Sequence, residues 1–201
     1  MHFKSNVCYN KNMPKVINHD EVRGKLLSQC LNLFSHEGYG SLTMRKIAKA
    51  LNVSTGTLYH YFDSKEDLFR QLVEYITHQD LFDVEKALQG ADTFSERVDA
   101  LLRFFIDRED YFLNQVIIWM DYTRQQGEGT EAEPGPREAL VQYEQGIIRL
   151  LGIEKEVARF ILAAINGLVI QRYIDGGRTS LATQSILIRQ YLLGQEEQGS
   201  L

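Results

Sequence analysis

Between positions 43 and 65 the sequence TMRKIAKALNVSTGTLYHYFDSK concentrates hydroxyls, rings and cations at Thr43, Arg45, Thr55, Thr57, Tyr59, His60, Tyr61 and Lys65. Hydroxyls and phenols suit phosphate oxygens, an arginine can fork onto the edge of a guanine, and a lysine neutralises a phosphate as a point charge. Acidic residues are almost absent from this stretch before Asp63. The chemistry on offer is the binding of a duplex nucleic acid.

Those side chains need a scaffold, and the spacing supplies one. Met44 to Leu51 reads as a short helix with Ile47, Ala48 and Leu51 on one face. Asn52-Val53-Ser54 breaks the period, and Thr55 to Phe62 then turns Leu58 and Phe62 toward the same small core. Ala48 is small enough for two helices to cross steeply, as a helix-turn-helix requires. Gly56 leaves room for the second helix to start close to a phosphate backbone.

This segment resembles the DNA-binding domain of the TetR family of one-component transcriptional regulators. The family pattern is met in register by Thr43, Arg45, Ile47, Ala48, Val53, Ser54, Gly56, Leu58, Tyr59, Phe62, Ser64, Lys65 and Leu68. The resemblance covers about the first third of the chain. It implies that Thr43, Arg45, Thr55, Thr57, Tyr59, Tyr61 and Lys65 touch DNA. Thr43, Tyr59 and Lys65 would anchor the backbone, while Thr55, Thr57, His60 and Tyr61 would face the groove. In the competing reading Tyr59 and Tyr61 are packing residues and Thr43 is only a cap.

The formal charge of the 201-residue chain is -5, but its distribution matters more than its sum. Residues 1–70 hold ten Lys/Arg against six Asp/Glu, whereas residues 71–201 hold twelve against twenty-one. The basic third is the one with the DNA motif. Cys8 and Cys30 match no zinc spacing and fit a reducing cytoplasm. No apolar run is expected to reach the roughly 20 residues of a membrane span, and no signal-peptide core stands at the N-terminus.

The fold class expected is all-α, with a three-helix DNA-binding domain over 17–65 and a helical ligand-binding and dimerisation domain over 66–201. Residues 1–16 read as a disordered arm in which Met13 offers a second start. Lys4, Lys11 and Lys15 there are a solvated tail or an aid to phosphate attraction. A bracing helix is expected from Asp20 to Glu37, with Gly38 as its stop. A long helix should run from Ser64 to about Leu88, with Leu81 and Phe82 inside, and act as a lever between domains. Further helices are expected from Thr93, over Tyr111–Tyr122, Arg137–Leu151, Glu154–Asp175 and Leu181–Leu193, with a loop over Gly127–Pro136.

Aromatic residues in these helices, with isolated polar groups among them, suit a small-molecule pocket. Its candidate walls are Tyr75, His78, Phe82, Phe105, Trp119, Asp121, Tyr122, Tyr143, Asn166 and Tyr173. Asp121 and Asn166 would orient the ligand, which is expected to be hydrophobic or aromatic, cations included. Core packing is the competing account for each aromatic, and a salt bridge to Arg124 the competing account for Asp121. The last two helices carry apolar residues on more than one face. Phe160, Ala164, Gly167, Leu168, Ile186, Leu187 and Gln190 are therefore expected at a homodimer interface, as the family resemblance also implies.

No catalytic constellation and no cofactor or metal motif is found, which argues against an enzyme. The function expected is a cytoplasmic, homodimeric, repressor-like regulator. It would be released from a palindromic double-stranded DNA operator by a small-molecule effector, without contact to a membrane. The alternative is a dimeric nucleoid-type DNA binder that responds to no ligand.

Overall fold

The computed structural model describes residues 18–126, 135–197 and 199. The expected arm and most of the expected 127–136 loop lie outside these residues. Among the described residues the chain forms α1 (His19–Glu37), α2 (Met44–Ala50), α3 (Thr55–Tyr61), α4 (Lys65–Ala87) and α5 (Phe94–Ile106). These are followed by α6 (Glu109–Gln126), α7 (Pro136–Leu151), α8 (Lys155–Ile174) and α9 (Leu181–Glu197).

The boundaries follow from side chains that satisfy the free backbone N–H groups of each first turn. Asn18, Thr43, Ser54, Ser64 and Thr93 each cap a helix through a side-chain oxygen. At α5 the arrangement is a full capping box, with Glu96 reaching back to the Thr93 backbone at 2.9 Å. At α4 the return bond slips by one residue, because Asp67 accepts from the N–H of Asp63 at 3.0 Å. α1 stops at Gly38, whose φ of 76° is open to glycine and whose N–H bonds to the Phe34 carbonyl.

Two apolar cores result. The first joins α1, α2, α3 and the first half of α4 to Ile118, Trp119 and Tyr122 of α6. The second packs the end of α4 with α5, α7, α8, α9 and Phe112 of α6. α4 and α6 therefore run through both, and the expected division at 65/66 falls at the first residue of α4. Cys30 lies wholly within the first core, where burial pushes its thiol up to about 12 and leaves it inert near neutral pH.

Two expectations about apolar segments need correction. Phe82, expected inside, is 62 % exposed, because it follows Leu81 by one residue and so points away from the face that carries Val84. α8, Lys155–Ile174, is long and apolar enough by composition to cross a membrane, with a mean hydropathy of 1.4 over its window. It packs on α6, α7 and α9 within the protomer and leaves Phe160, Tyr173 and Ile174 outward. Phe160 and Ile174 with Ile186, Leu187 and Tyr191 of α9 make an exposed apolar face, and the Phe160 and Tyr191 rings meet there at 5.1 Å.

Candidate DNA-binding surface and effector cleft

α2 and α3 are held at their crossing by Ile47, Ala48, Leu58 and Phe62, all essentially without solvent contact. Burying Leu58 alone contributes about 1.5–3 kcal/mol. The turn between the helices places Asn52 at φ 56°, a left-handed conformation that asparagine tolerates better than most side chains. The Val53 N–H then closes the turn on the Ala48 carbonyl at 2.9 Å.

This packing leaves one polar face outward. Thr43, Arg45, Gly56, Thr57, Tyr59 and His60 are exposed and Thr55 is half-buried. Tyr59 is 52 % exposed, a large ring with no core to join. Thr43 Oγ1 is engaged in its cap, accepting from the Lys46 N–H at 3.3 Å, and the Thr57 hydroxyl meets Ser54 Oγ at 2.8 Å.

Tyr61 is placed differently from the expectation. It is 9 % exposed, its ring packs beside Phe62 and His19, and its hydroxyl comes within 3.5 Å of His19 Nδ1. Position 61 follows Leu58 by three residues and so shares its inward stripe. Tyr61 supports α3 against α1 and is withdrawn from the groove-facing set.

Lys65 has a second task. Its ammonium donates to the Tyr39 carbonyl at 3.1 Å and lies 4.0 Å from the centre of the Tyr39 ring. The Tyr39 hydroxyl in turn donates to Glu66 at 3.0 Å, and its ring meets Phe69 and Tyr122 edge-on at 5.1 and 4.9 Å. The α1–α2 loop is thereby tied to both α4 and α6.

Asp121 belongs to this junction, and it also lines an open cleft between the end of α1, the loop after it and α6. Its Oδ2 accepts from the Gly40 N–H at 3.4 Å, and its Oδ1 from Arg124 and Gln125 at 2.9 and 3.2 Å. Burial alone would raise its pKa, but these hydrogen bonds outweigh it and hold the carboxyl below the usual range. The Gln125 side chain lies so close over Gly40 that a Cβ there would collide with it.

A narrow apolar cleft of about 20 Å³, which must widen before it can admit a ligand, lies farther from the DNA-binding face. Asp80, Leu81, Val84, Leu101, Phe104, Phe105, Phe112, Tyr143, Ile147 and Leu150 line it, from α4, α5, α6 and α7. Of the residues expected to hold a ligand, Phe105 and Tyr143 are in its wall. Trp119 packs beside Tyr143, ring centres 6.1 Å apart, and its indole Nε1–H is buried without a partner. The others lie elsewhere. Tyr75 and Tyr122 pack in or against the first core, the Tyr122 ring stacking on Phe69 at 4.4 Å. His78, Phe82 and Tyr173 face outward, and Asn166 is half-buried on α8 away from the cleft walls.

The polar end of the cleft was not anticipated. Asp80 is 6 % exposed, and its Oδ2 accepts from Gln115 Nε2 at 3.0 Å and from the Tyr143 hydroxyl at 2.5 Å. The Tyr111 phenol lies close enough to interact with it electrostatically. Burial drives the Asp80 carboxyl above its ordinary range, and burial beside that carboxyl drives both tyrosines upward. The signal was available: Leu72, Ile76, Asp80 and Val84 recur every four residues along one helical face. The neighbouring His78 and Gln79 disguised it as a solvated turn.

Residues 26–72 match the family described as "Bacterial regulatory proteins, tetR family". The chain thus carries a TetR-family DNA-binding segment. A similar relative is the HTH-type transcriptional regulator BetI of Rhizobium meliloti (strain 1021), 26 % identical over 190 residues, covering 90 % of this chain and 92 % of the relative. The icaADBC negative transcriptional regulator IcaR of Staphylococcus aureus (strain Newman) is 26 % identical over 100 residues, 48 % of this chain and 52 % of that one. The crystal structure of the regulator FadR from Bacillus subtilis in complex with stearoyl-CoA superposes with a TM-score of 0.69 at 19 % identity. It covers 84 % of this chain and 96 % of that one. The all-α architecture, an N-terminal helix-turn-helix followed by a helical C-terminal region, is shared with that structure, and this chain is a DNA-binding transcriptional regulator.

Proposed function

We propose that the protein is a homodimeric repressor that leaves a palindromic operator when a small molecule enters the α4–α7 cleft. The observation that carries this reading is the exposed polar face of α2 and α3, mounted on a helix, α4, whose other end walls the cleft. Arg45, Thr55, Thr57 and His60 would read base edges, and Thr43, Gly56, Tyr59 and Lys65 would position the backbone. Residues 17–65 would form the DNA-binding unit, and 66–201 the unit that binds ligand and dimerises.

The apolar face of α8 and α9 supports dimerisation, since five large apolar side chains there lie between 41 and 77 % exposed. Ala164, Gly167, Leu168 and Gln190 would extend that face beside Phe160, Ile186 and Leu187, and a Cβ at Gly167 would meet nothing within the protomer. A named negative regulator among the relatives and a fold neighbour bound to stearoyl-CoA support repression and ligand control. A cytoplasmic location accords with those relatives.

Linkage sets the mechanism. The effector must favour the conformation in which the two α3 helices no longer match two half-sites. α4, about 35 Å long, converts a small shift at the cleft into a displacement of α3. Selection of bound genomic fragments, followed by footprinting, tests the reading. A two-fold symmetric footprint is expected, and affinity that is flat across sequences would instead identify a nucleoid-type binder.

A further inference from the structure

Asp80 poses a chemical question that the fold alone does not answer. An aspartate only 6 % exposed carries two neutral hydrogen-bond partners, Gln115 and Tyr143. Among the described residues no lysine or arginine pairs with it. Arg108 pairs instead with Asp83 at 3.5 Å and stands over the Phe104 ring at 4.1 Å. A buried carboxylate without a cation is costly to keep, and a purely structural hydrogen-bond acceptor here could be an amide.

The surroundings say what would compensate it. Phe104, Phe105 and Phe112 stand together in the cleft wall, with ring centres 4.8 to 6.0 Å apart. Aromatic faces attract cations, and the outer side of Phe104 already holds the Arg108 guanidinium. An anion would meet Asp80 at close range in a poorly screened site. A wholly neutral ligand would leave the carboxylate as it is.

We propose that Asp80 is the counter-ion for a lipophilic organic cation, an amine or quaternary ammonium whose apolar body lies among Phe104, Phe105 and Phe112. This rests on the reading of the cleft as the effector site and adds the chemical class of the effector. Leu81 is the side chain that must give way. It lines the cleft and packs against Gly146 of α7 so closely that a Cβ there would collide with it. Widening the cleft for a ligand therefore parts α4 from α7, the kind of motion that release from the operator requires.

Two isosteric pairs test the charge: benzyltrimethylammonium against neopentylbenzene, and tetraphenylphosphonium against tetraphenylmethane. Binding to the full-length protein is followed by calorimetry and by the emission of Trp119, the chain's one tryptophan, which stacks beside Tyr143. At least one cation is expected to bind at least tenfold more tightly than its neutral partner. Asp80→Asn should abolish that preference while unfolding at the same temperature. Both the Gln115 and Tyr143 bonds fall on Oδ2, and an amide oxygen placed there accepts both. Should that variant fail to fold, Tyr143→Phe removes a neutral donor but not the charge, and is expected to keep the preference for the cation.

Equal binding of cation and isostere, no binding of either cation, or a preference that survives in Asp80→Asn or disappears in Tyr143→Phe overturns the proposal. Operator affinity measured alongside separates it from the reading on which it rests. A cation that binds through Asp80 without weakening operator binding leaves the site but removes its effector role. Operator release by neutral compounds alone leaves the effector role and removes the cation.

Discussion

Asp121→Ala should loosen the attachment of the α1–α2 loop to α6. The aspartate side chain is 18 % exposed, and it accepts from one backbone N–H of the loop and from two side chains of its own helix. Arg124 is 80 % exposed, so the ion pair itself adds little. The bond to the Gly40 N–H is long at 3.4 Å, and water can replace part of what is lost. A net loss of about 1–2 kcal/mol follows, within the range for hydrogen bonds to a charged group. That corresponds to about 2–8 °C in unfolding temperature for a chain of this size.

The pH dependence carries a sign of its own. The folded-state pKa of Asp121 lies below the ordinary value, so the folded protein binds this proton less readily than the unfolded chain. Its contribution is complete above about pH 4 and fades as the pH falls through the lowered pKa. Urea unfolding of parent and variant at pH 7, and again below pH 4, should therefore show a gap that narrows in acid. An unchanged midpoint at pH 7, or a gap of equal size in acid, would refute the clasp.

Four other outcomes are expected. Lys65→Ala should lower the salt slope of operator binding by about one unit, as read by anisotropy titrations, and also cost about 0.5–1.5 kcal/mol of stability, because the Tyr39 carbonyl loses its donor. Thr57→Ala should change the selected DNA sequence, whereas Tyr61→Phe should leave it unchanged because that ring faces inward; a selection experiment on both variants checks this. Phe160→Glu with Leu187→Glu should give folded monomers by light scattering, since both side chains are at least half exposed in the protomer and serve no core within it. Gly146→Ala should push Leu81 into the cleft and reduce ligand response, while unfolding within about 1–3 kcal/mol of the parent in urea.

Helices and caps were legible in the sequence where hydroxyl and amide caps precede periodic apolar residues, as at Thr43, Ser54, Ser64 and Thr93. The outward face of α3 was legible for the same reason, since Leu58 and Phe62 fix the inward direction. Tyr61 was misplaced because a seven-residue helix has too few apolar positions to define the width of its buried stripe. The walls of the cleft were harder to read. Side chains there come from four helices, and which aromatic faces which neighbour is decided by helix crossings that leave no local pattern. Asp121 drew attention because it interrupts an apolar run, yet it serves a backbone N–H 81 residues away. Asp80, which keeps the helical period, was passed over.

Tyr39 has a consequence for how such a regulator can diversify. Gripped by Lys65 and Glu66 and wedged against Phe69 and Tyr122, it makes the loop, α4 and α6 one stiff piece, so the reading head moves as a body and does not melt. Under the proposed mechanism the molecule works as a caliper, and the quantity it transmits is a distance. Thr57 and Tyr59 take no part in setting that distance, because they are exposed and belong to neither core. Their identities can drift toward a new operator while the response to ligand is kept, and the cleft can change its ligand while the operator stays the same.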